Sequence, residues 1–155
     1  MTGARVATVD VYPVRRIRDA WEALLLRRAA GTRCTGSWET VHGRIEPDER
    51  PEAAALRELR EETGLDAERL YNVSVQPFYL HQWGEVTLAV VFAAVVPPDA
   101  PVQVSAEHDA AEWLPVDAAV ARYAWPRSKT ALAEIAYLLR DGDAGAVEDV
   151  LRLPG

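Results

Sequence analysis

The stretch that decides the reading is GRIEPDERPEAAALRELREETGL, residues 43–65. Glu58, Glu61 and Glu62 crowd into five residues, with Glu46 and Glu49 upstream. Pro51 suits a first helical turn, where its missing N–H costs nothing. Gly64 suits the stop, because it accepts the left-handed conformation that closes helices. The stretch therefore predicts a helix from Pro51 to Thr63-Gly64. On a wheel of about 100° per residue, Ala55, Leu56, Leu59 and Thr63 share one side, expected to face the core. Glu58, Glu61 and Glu62 share an arc of about 100° on the other. Like charges at these spacings destabilise a helix by ~0.2–0.5 kcal/mol per pair. A divalent cation would reverse that sign, and clustered carboxylates suit a hard ion, Mg²⁺ or Mn²⁺. A glutamate- and arginine-rich face is more often simply solvated, with Arg57 and Arg60 neutralising part of it. The helix alone decides little.

Outward from the helix, strands predominate. Residues 4–14 alternate valines with smaller or polar residues and read as a strand. Residues 21–31, WEALLLRRAAG, read as a second strand, with a short helix as the alternative. Residues 35–43 are turn-rich with a few strand-like residues. Residues 70–83 form a strand in which Pro77 marks a bulge or edge. Residues 85–96 form a strongly apolar strand, and Gly84 places a hairpin turn between the two. Residues 97–101, PPDAP, are a loop. Residues 111–116 form a short strand, 117–124 a short helix and 127–142 a longer one, with one or two more helical turns in the tail. Strands outnumber helices and the first helix falls mid-chain. That order predicts an α/β (α+β) fold, a mixed sheet covered by helices, over a single domain spanning residues 1–155.

Composition narrows the function classes. The chain has 155 residues, 49% hydrophobic and 26% charged, a globular balance. No apolar run reaches the length of a membrane span, and the start lacks the layout of a signal peptide. Cys34 is the one cysteine, which excludes an internal disulfide and a cysteine zinc cluster. A cytoplasmic setting is expected. A formal net charge of −7 disfavours a nucleic-acid polymer as partner. It admits a small phosphorylated substrate, provided a cation lies between the two negative parties.

The spacing around the helix decides what the helix alone does not. Gly43, Glu49, Arg57-Glu58-Leu59, Glu61-Glu62 and Gly64-Leu65 fill nine positions over 23 residues. This pattern resembles the Nudix box, the signature of the Nudix hydrolases. The family's loop-helix-loop after early strands, within an α/β/α sandwich, is similar to the order read above. The resemblance implies that Glu58, Glu61 and Glu62 hold Mg²⁺ or Mn²⁺. It implies that Arg57 positions a catalytic glutamate, with Glu49 in support, and that Glu58 is the first choice of general base. Gly43 would let the chain turn tightly, so that the His42 carbonyl approaches a metal. Many members read Pro-Gly-Gly where this chain has Val41-His42-Gly43. A further acid outside the box commonly completes the metal site, and Glu107, six residues before Trp113, resembles it. His108 reads as a neighbour rather than a ligand. Glu39 and Arg44 are candidates beside the substrate, and Glu46 a lesser one.

The implied reaction is metal-dependent hydrolysis of a nucleoside diphosphate linked to some group X. The ADP-ribose proline is absent, with His81 in its place, and the NADH and CoA signatures are missing. The remaining pattern looks like the group acting on nucleoside triphosphates and dihydroneopterin triphosphate, giving monophosphate and pyrophosphate. Trp38 is the preferred stacking residue for a base or pterin; Phe78, Tyr79, His81 and Trp83 are others, core packing being the commoner role of each. The resemblance admits a homodimer. Two rival classes stay open: a catalytically silent nucleotide-sensing module, and an acidic structural domain with a solvated glutamate helix.

Overall fold

The two apolar runs ALLL and VVFAAVV are too hydrophobic for strands with one face in water. In this computed structural model, which describes residues 2–154, both faces are covered. Strand β1 is Gly3–Ile17, β2 Ala20–Arg28, β3 Trp38–Glu39 and β4 Val41–Arg44. Helix α1, Pro51–Thr63, follows; then β5, Arg69–Leu80, β6, Glu85–Val95, and β7, His108–Pro115. Helices α2, Val116–Arg122, and α3, Pro126–Leu138, precede a 3₁₀ turn at Gly145–Val147 and the short α4, Glu148–Leu151.

The sheet runs β3-β2-β1-β6-β5, with β4 also on β1 and β7 on β2. The β1–β6 pair is parallel and the other pairs are antiparallel, so the sheet is mixed. Side chains alternate across a strand, and the alternation feeds two cores. Tyr12, Val14, Ala23, Leu25, Ala93 and Val95 pack towards α2 and α3, with Ala119, Leu132 and Ile135. Val9, Val11, Leu24, Leu26, Phe92 and Ala94 pack towards α1, with Ala55 and Leu59. The result is the expected α/β/α arrangement, and double coverage explains the unbroken apolar runs.

The long β1 divides its pairing. Thr8–Val11 pair with β4, whereas Val14–Ile17 pair with β2. Register sets Asp10 opposite His42 and Val9 opposite Gly43, which carries the glycine end of the acidic stretch onto the sheet. Pro51 and Gly64 bracket α1 as expected; Gly64 has φ 71° and donates its N–H to the Arg60 carbonyl. Several elements differ from expectation at their ends: β1 runs on to Ile17 rather than 14, β2 stops at Arg28 rather than 31, β7 starts at His108 rather than 111, and β5 and α3 end early. The β5 strand stops at Leu80, because residues 81–84 form a turn closed by the Trp83 and Gly84 N–H groups on the Leu80 carbonyl. Helix α3 ends at Leu138 rather than 142, where the chain breaks into turns around Gly142, φ 108°. No helix among the described residues is long and apolar enough to cross a membrane.

One expectation about α1 is overturned. Leu56 is 46% exposed, and the buried set is Ala54, Ala55, Leu59, Glu62 and Thr63. On the wheel Glu62 lies only about 60° from Leu59. The helix is rolled so that this acid, not Leu56, enters the interface with the sheet.

Candidate metal and substrate site

The roll of α1 presses its acids against β4. Glu62 is 4% exposed, and its Oε2 accepts the His42 N–H at 3.3 Å. Glu58 lies against Gly43 so closely that a Cβ there would sit 2.0 Å from the Glu58 carboxyl carbon. Gly43 is therefore required by that approach. It does not make the tight turn expected from sequence; it is a strand residue, and its φ is not among the positive ones. Glu61, 100° further round the helix, is not brought to the same place. Its side chain is 58% exposed, and its ion-pair partner among the described residues is the Arg57 guanidinium, at 3.4 Å.

Arg57 ties the stretch together. Its Nε and Nη2 each donate to Glu49 at 2.9 Å, its Nη1 to Glu58 at 2.8 Å, and its Nη2 also to the Arg44 carbonyl at 2.9 Å. Hydrogen bonds from Arg57, then from the Glu46 N–H, pull the Glu49 carboxyl down to about 2. The same contacts, Glu49 foremost, hold the Arg57 guanidinium more firmly protonated than usual. A flat fork of donors suits this task, and a lysine could not span it. Glu46 is itself exposed and serves through its backbone.

A second set of residues arrives from the far strands. His108, at the start of β7, is fully buried, and its Nε2 lies 2.9 Å from Glu39 on β3. Arg28 on β2 reaches Glu39 at 3.3 Å and Glu107 at 3.7 Å. Burial raises the Glu39 carboxyl, but His108 and Arg28 outweigh it and the net shift is downward. Glu62 has no such help. Burial first, then the charge and hydrogen bond of Glu58, then Glu107 and Glu39, push its carboxyl up to about 10. His108 Nδ1 points toward Glu62 at 3.8 Å and has no hydrogen-bond partner.

These observations fit a hard divalent cation. Among the described residues no group of three His, Cys, Asp or Glu is preassembled as a cage. Yet Glu58 and Glu62 are paired at one spot, Glu107 lines the same hollow as Glu58, and oxygen donors are what such an ion takes. Burial, and next the neighbouring Glu58 carboxylate, disfavour a negative charge on Glu62.

The cleft has two ends that share Arg28, Arg33, Glu39, His42 and Trp83. The acidic end adds Thr8, Gly43, Arg44, Glu58 and Glu107. The other end lies between Phe78, Leu80, Trp125 and Arg127. Arg44 is therefore in the cleft, its guanidinium 5.8 Å from the Trp83 ring. Trp38 is not. Its ring lies between Arg27, at 5.7 Å, and Arg122, at 5.2 Å, and packs on the α2–α3 core. Tyr79 also faces away, 54% exposed. The period of two along β5 is the signal that separates Phe78 and Leu80 from Tyr79. Sequence reasoning singled out none of Asp10, Arg28, Trp125 and Arg127 as a site residue.

The comparisons with known proteins agree with this geometry. A family model described as NUDIX domain matches residues 4–135. The chain is 38% identical over 120 residues to an octanoyltransferase of Myxococcus xanthus, covering 74% of this chain and 32% of that protein. It is 39% identical over 67 residues to CTP pyrophosphohydrolase of Escherichia coli (strain K12), covering 39% and 50%. It is 30% identical over 118 residues to the asymmetrical bis(5'-nucleosyl)-tetraphosphatase of Rattus norvegicus, covering 73% and 77%. The chain thus spans about a third and half of the length of the first two relatives. Among solved structures, a Listeria monocytogenes protein assigned to the NUDIX hydrolases superposes with a TM-score of 0.75 at 25% identity, covering 90% and 97%. The Escherichia coli dihydroneopterin triphosphate pyrophosphohydrolase shares the fold, with a TM-score of 0.69 at 20% identity over 88% and 99%. With the box, the sandwich and the match all on the same residues, the chain belongs to the Nudix family.

Proposed function

We propose that this chain is a divalent-metal-dependent hydrolase that cleaves a phosphoanhydride in a nucleoside diphosphate linked to X. The observation that carries the reading is Glu58 packed against Gly43 on the wall of the cleft, with the buried Glu62 beside it. Glu58, Glu62, Glu107 and the His42 carbonyl would hold Mg²⁺ or Mn²⁺, with Glu61 an outer member through Arg57. Once bound, such an ion neutralises phosphate charge and acidifies water.

The chain's own groups do the rest. Arg57 holds Glu58 in place, and Glu58 accepts the proton of the attacking water, with Glu107 the second choice for that task. Arg33 and Arg44, exposed along the acidic end, meet the phosphate oxygens. The water oxygen bonds to phosphorus as the bridging P–O bond breaks, and no covalent enzyme intermediate is needed. The preferred substrate is a nucleoside triphosphate or dihydroneopterin triphosphate, giving monophosphate and pyrophosphate. The names of the relatives, one acting on CTP and one on dinucleoside tetraphosphates, point to the same bond class. A cytoplasmic setting goes with such a substrate.

The test is a panel of nucleoside triphosphates, ADP-ribose, dinucleoside polyphosphates and dihydroneopterin triphosphate, with products identified. Turnover should need Mg²⁺ or Mn²⁺, should be poor with Ca²⁺, and should stop with EDTA. Turnover unaffected by EDTA would refute the reading. Tight, saturable nucleotide binding without turnover would favour a sensing module instead.

A further inference from the structure

The aromatic end of the cleft carries one cation in an unusual place. Arg127 sits in the first turn of α3, where the helix dipole disfavours a positive charge and no acid balances it locally. It is held there from outside the helix. Its Nε donates to Asp10 Oδ2 at 3.1 Å. Its guanidinium carbon lies 4.7 Å from the Phe78 ring centre and 5.0 Å from that of Trp125. Asp10 is 1% exposed, in the middle of β1, and its other oxygen meets His42 Nδ1 at 2.5 Å. One buried carboxylate thus orients two cleft-lining side chains. The two terminal nitrogens of Arg127 have no hydrogen-bond partner among the described residues, and the residue lines the cleft.

Resting on the proposed nucleotide-hydrolase reading, we propose that Arg127, positioned by Asp10, selects a heterocycle whose edge presents two adjacent acceptors. Phe78, Trp83 and Trp125 supply flat apolar surface for the ring. Two parallel N–H donors match a ring carbonyl beside a ring nitrogen, the pairing arginine makes with guanine O6 and N7. Guanine, cytosine through O2 and N3, and a 4-oxopterin through its carbonyl and N5 all offer that edge. Adenine sets an amino donor beside its acceptors, and uracil sets an N–H between its carbonyls. Either would leave a guanidinium donor facing a donor.

The test separates base selection from turnover. Cleft tryptophans 83 and 125 report binding, so fluorescence quenching is titrated with GMP, CMP, AMP and UMP, and kcat/KM is measured for the four triphosphates. GMP and CMP should bind about tenfold more tightly than AMP and UMP, with the same preference in kcat/KM. Arg127→Met should bring the ratios close to one. Arg127→Lys, which keeps a positive charge against Asp10, should do likewise because it lacks the planar fork. A merely structural arginine would lower Tm in these variants and leave the ratios alone. Equal binding of all four bases, absence of quenching by any of them, or selectivity surviving in both folded variants overturns the inference. Turnover without base preference sinks this inference and spares the hydrolase reading; preference for GMP and CMP without turnover does the reverse.

Discussion

Gly43→Ala is the sharpest perturbation of the site, because it adds one methyl group and no charge. The new Cβ would meet Glu58 at 2.0 Å from Cδ, 2.2 Å from Oε1 and 2.5 Å from Cγ. Ordinary contact begins at 3.4 Å, so the carboxylate must retreat by about 1.4 Å. It cannot retreat freely, since Arg57 Nη1 holds it at 2.8 Å and is itself anchored on Glu49. Overpacking of this kind costs about 1–3 kcal/mol, and a clash with the end of a flexible side chain puts this case at the lower end. Catalysis is less forgiving, because a displacement of about 1 Å in a reacting group costs ~100-fold. Gly43→Ala is expected to fold, to lose a few degrees in Tm, and to lose about 100-fold in kcat with Mg²⁺ saturating. Pyrophosphate release under single-turnover conditions measures it, with circular dichroism as the check on folding. A folded variant within threefold of the parent kcat would refute the claim that the Glu58 carboxylate must stand against residue 43.

Glu62→Gln should abolish turnover while flattening the pH dependence of the metal-free protein. The Glu62 carboxyl is raised from 4.5 to about 10 on folding, so its contribution is full below pH 4.5 and is lost as pH rises toward 10; Tm against pH in EDTA should fall in the parent and fall less in the variant, and equal slopes would contradict this. Arg57→Lys should lower kcat by about 10–100-fold with little change in KM, since charge-assisted bonds to Glu58 and Glu49 are each worth ~1.5–3 kcal/mol; steady-state kinetics decide it. Trp38→Ala should leave KM unchanged and cost about 2 kcal/mol in chemical denaturation, less than the ~3–5 kcal/mol of a fully buried ring. A raised KM would return Trp38 to the substrate site.

What was legible in the chain was what local physics sets. Pro51 and Gly64 bracket α1 because capping is decided within a few residues, and residues 85–96 read as a strand because β-branched runs leave no other choice. The acidic ridge, its spacing and the resemblance it carries are likewise contiguous. What was not legible depends on register. Asp10, His42 and Arg127 meet because β4 pairs with β1 at one offset and α3 crosses above, and nothing near residue 127 announces a partner at residue 10. Trp38 and Trp125 look alike in sequence, an aromatic beside a turn, yet one packs between two arginines and the other walls the cleft.

The roll of α1 joins the two levels. Periodicity alone would bury Leu56, whose transfer from water is worth about 1.5–3 kcal/mol. The chain instead buries a carboxylate whose ionisation the site resists, next to an unpartnered imidazole nitrogen. Packing forces do not favour that exchange in the metal-free protein. A cation that binds the native arrangement and not the unfolded chain would offset that cost by mass action. The exposed Leu56 and the buried Glu62 are thus one observation: where the hydrophobic pattern fails on this helix, the failure points at the candidate site. A metal-free protein whose Tm does not rise when Mg²⁺ or Mn²⁺ is added at neutral pH would break that link.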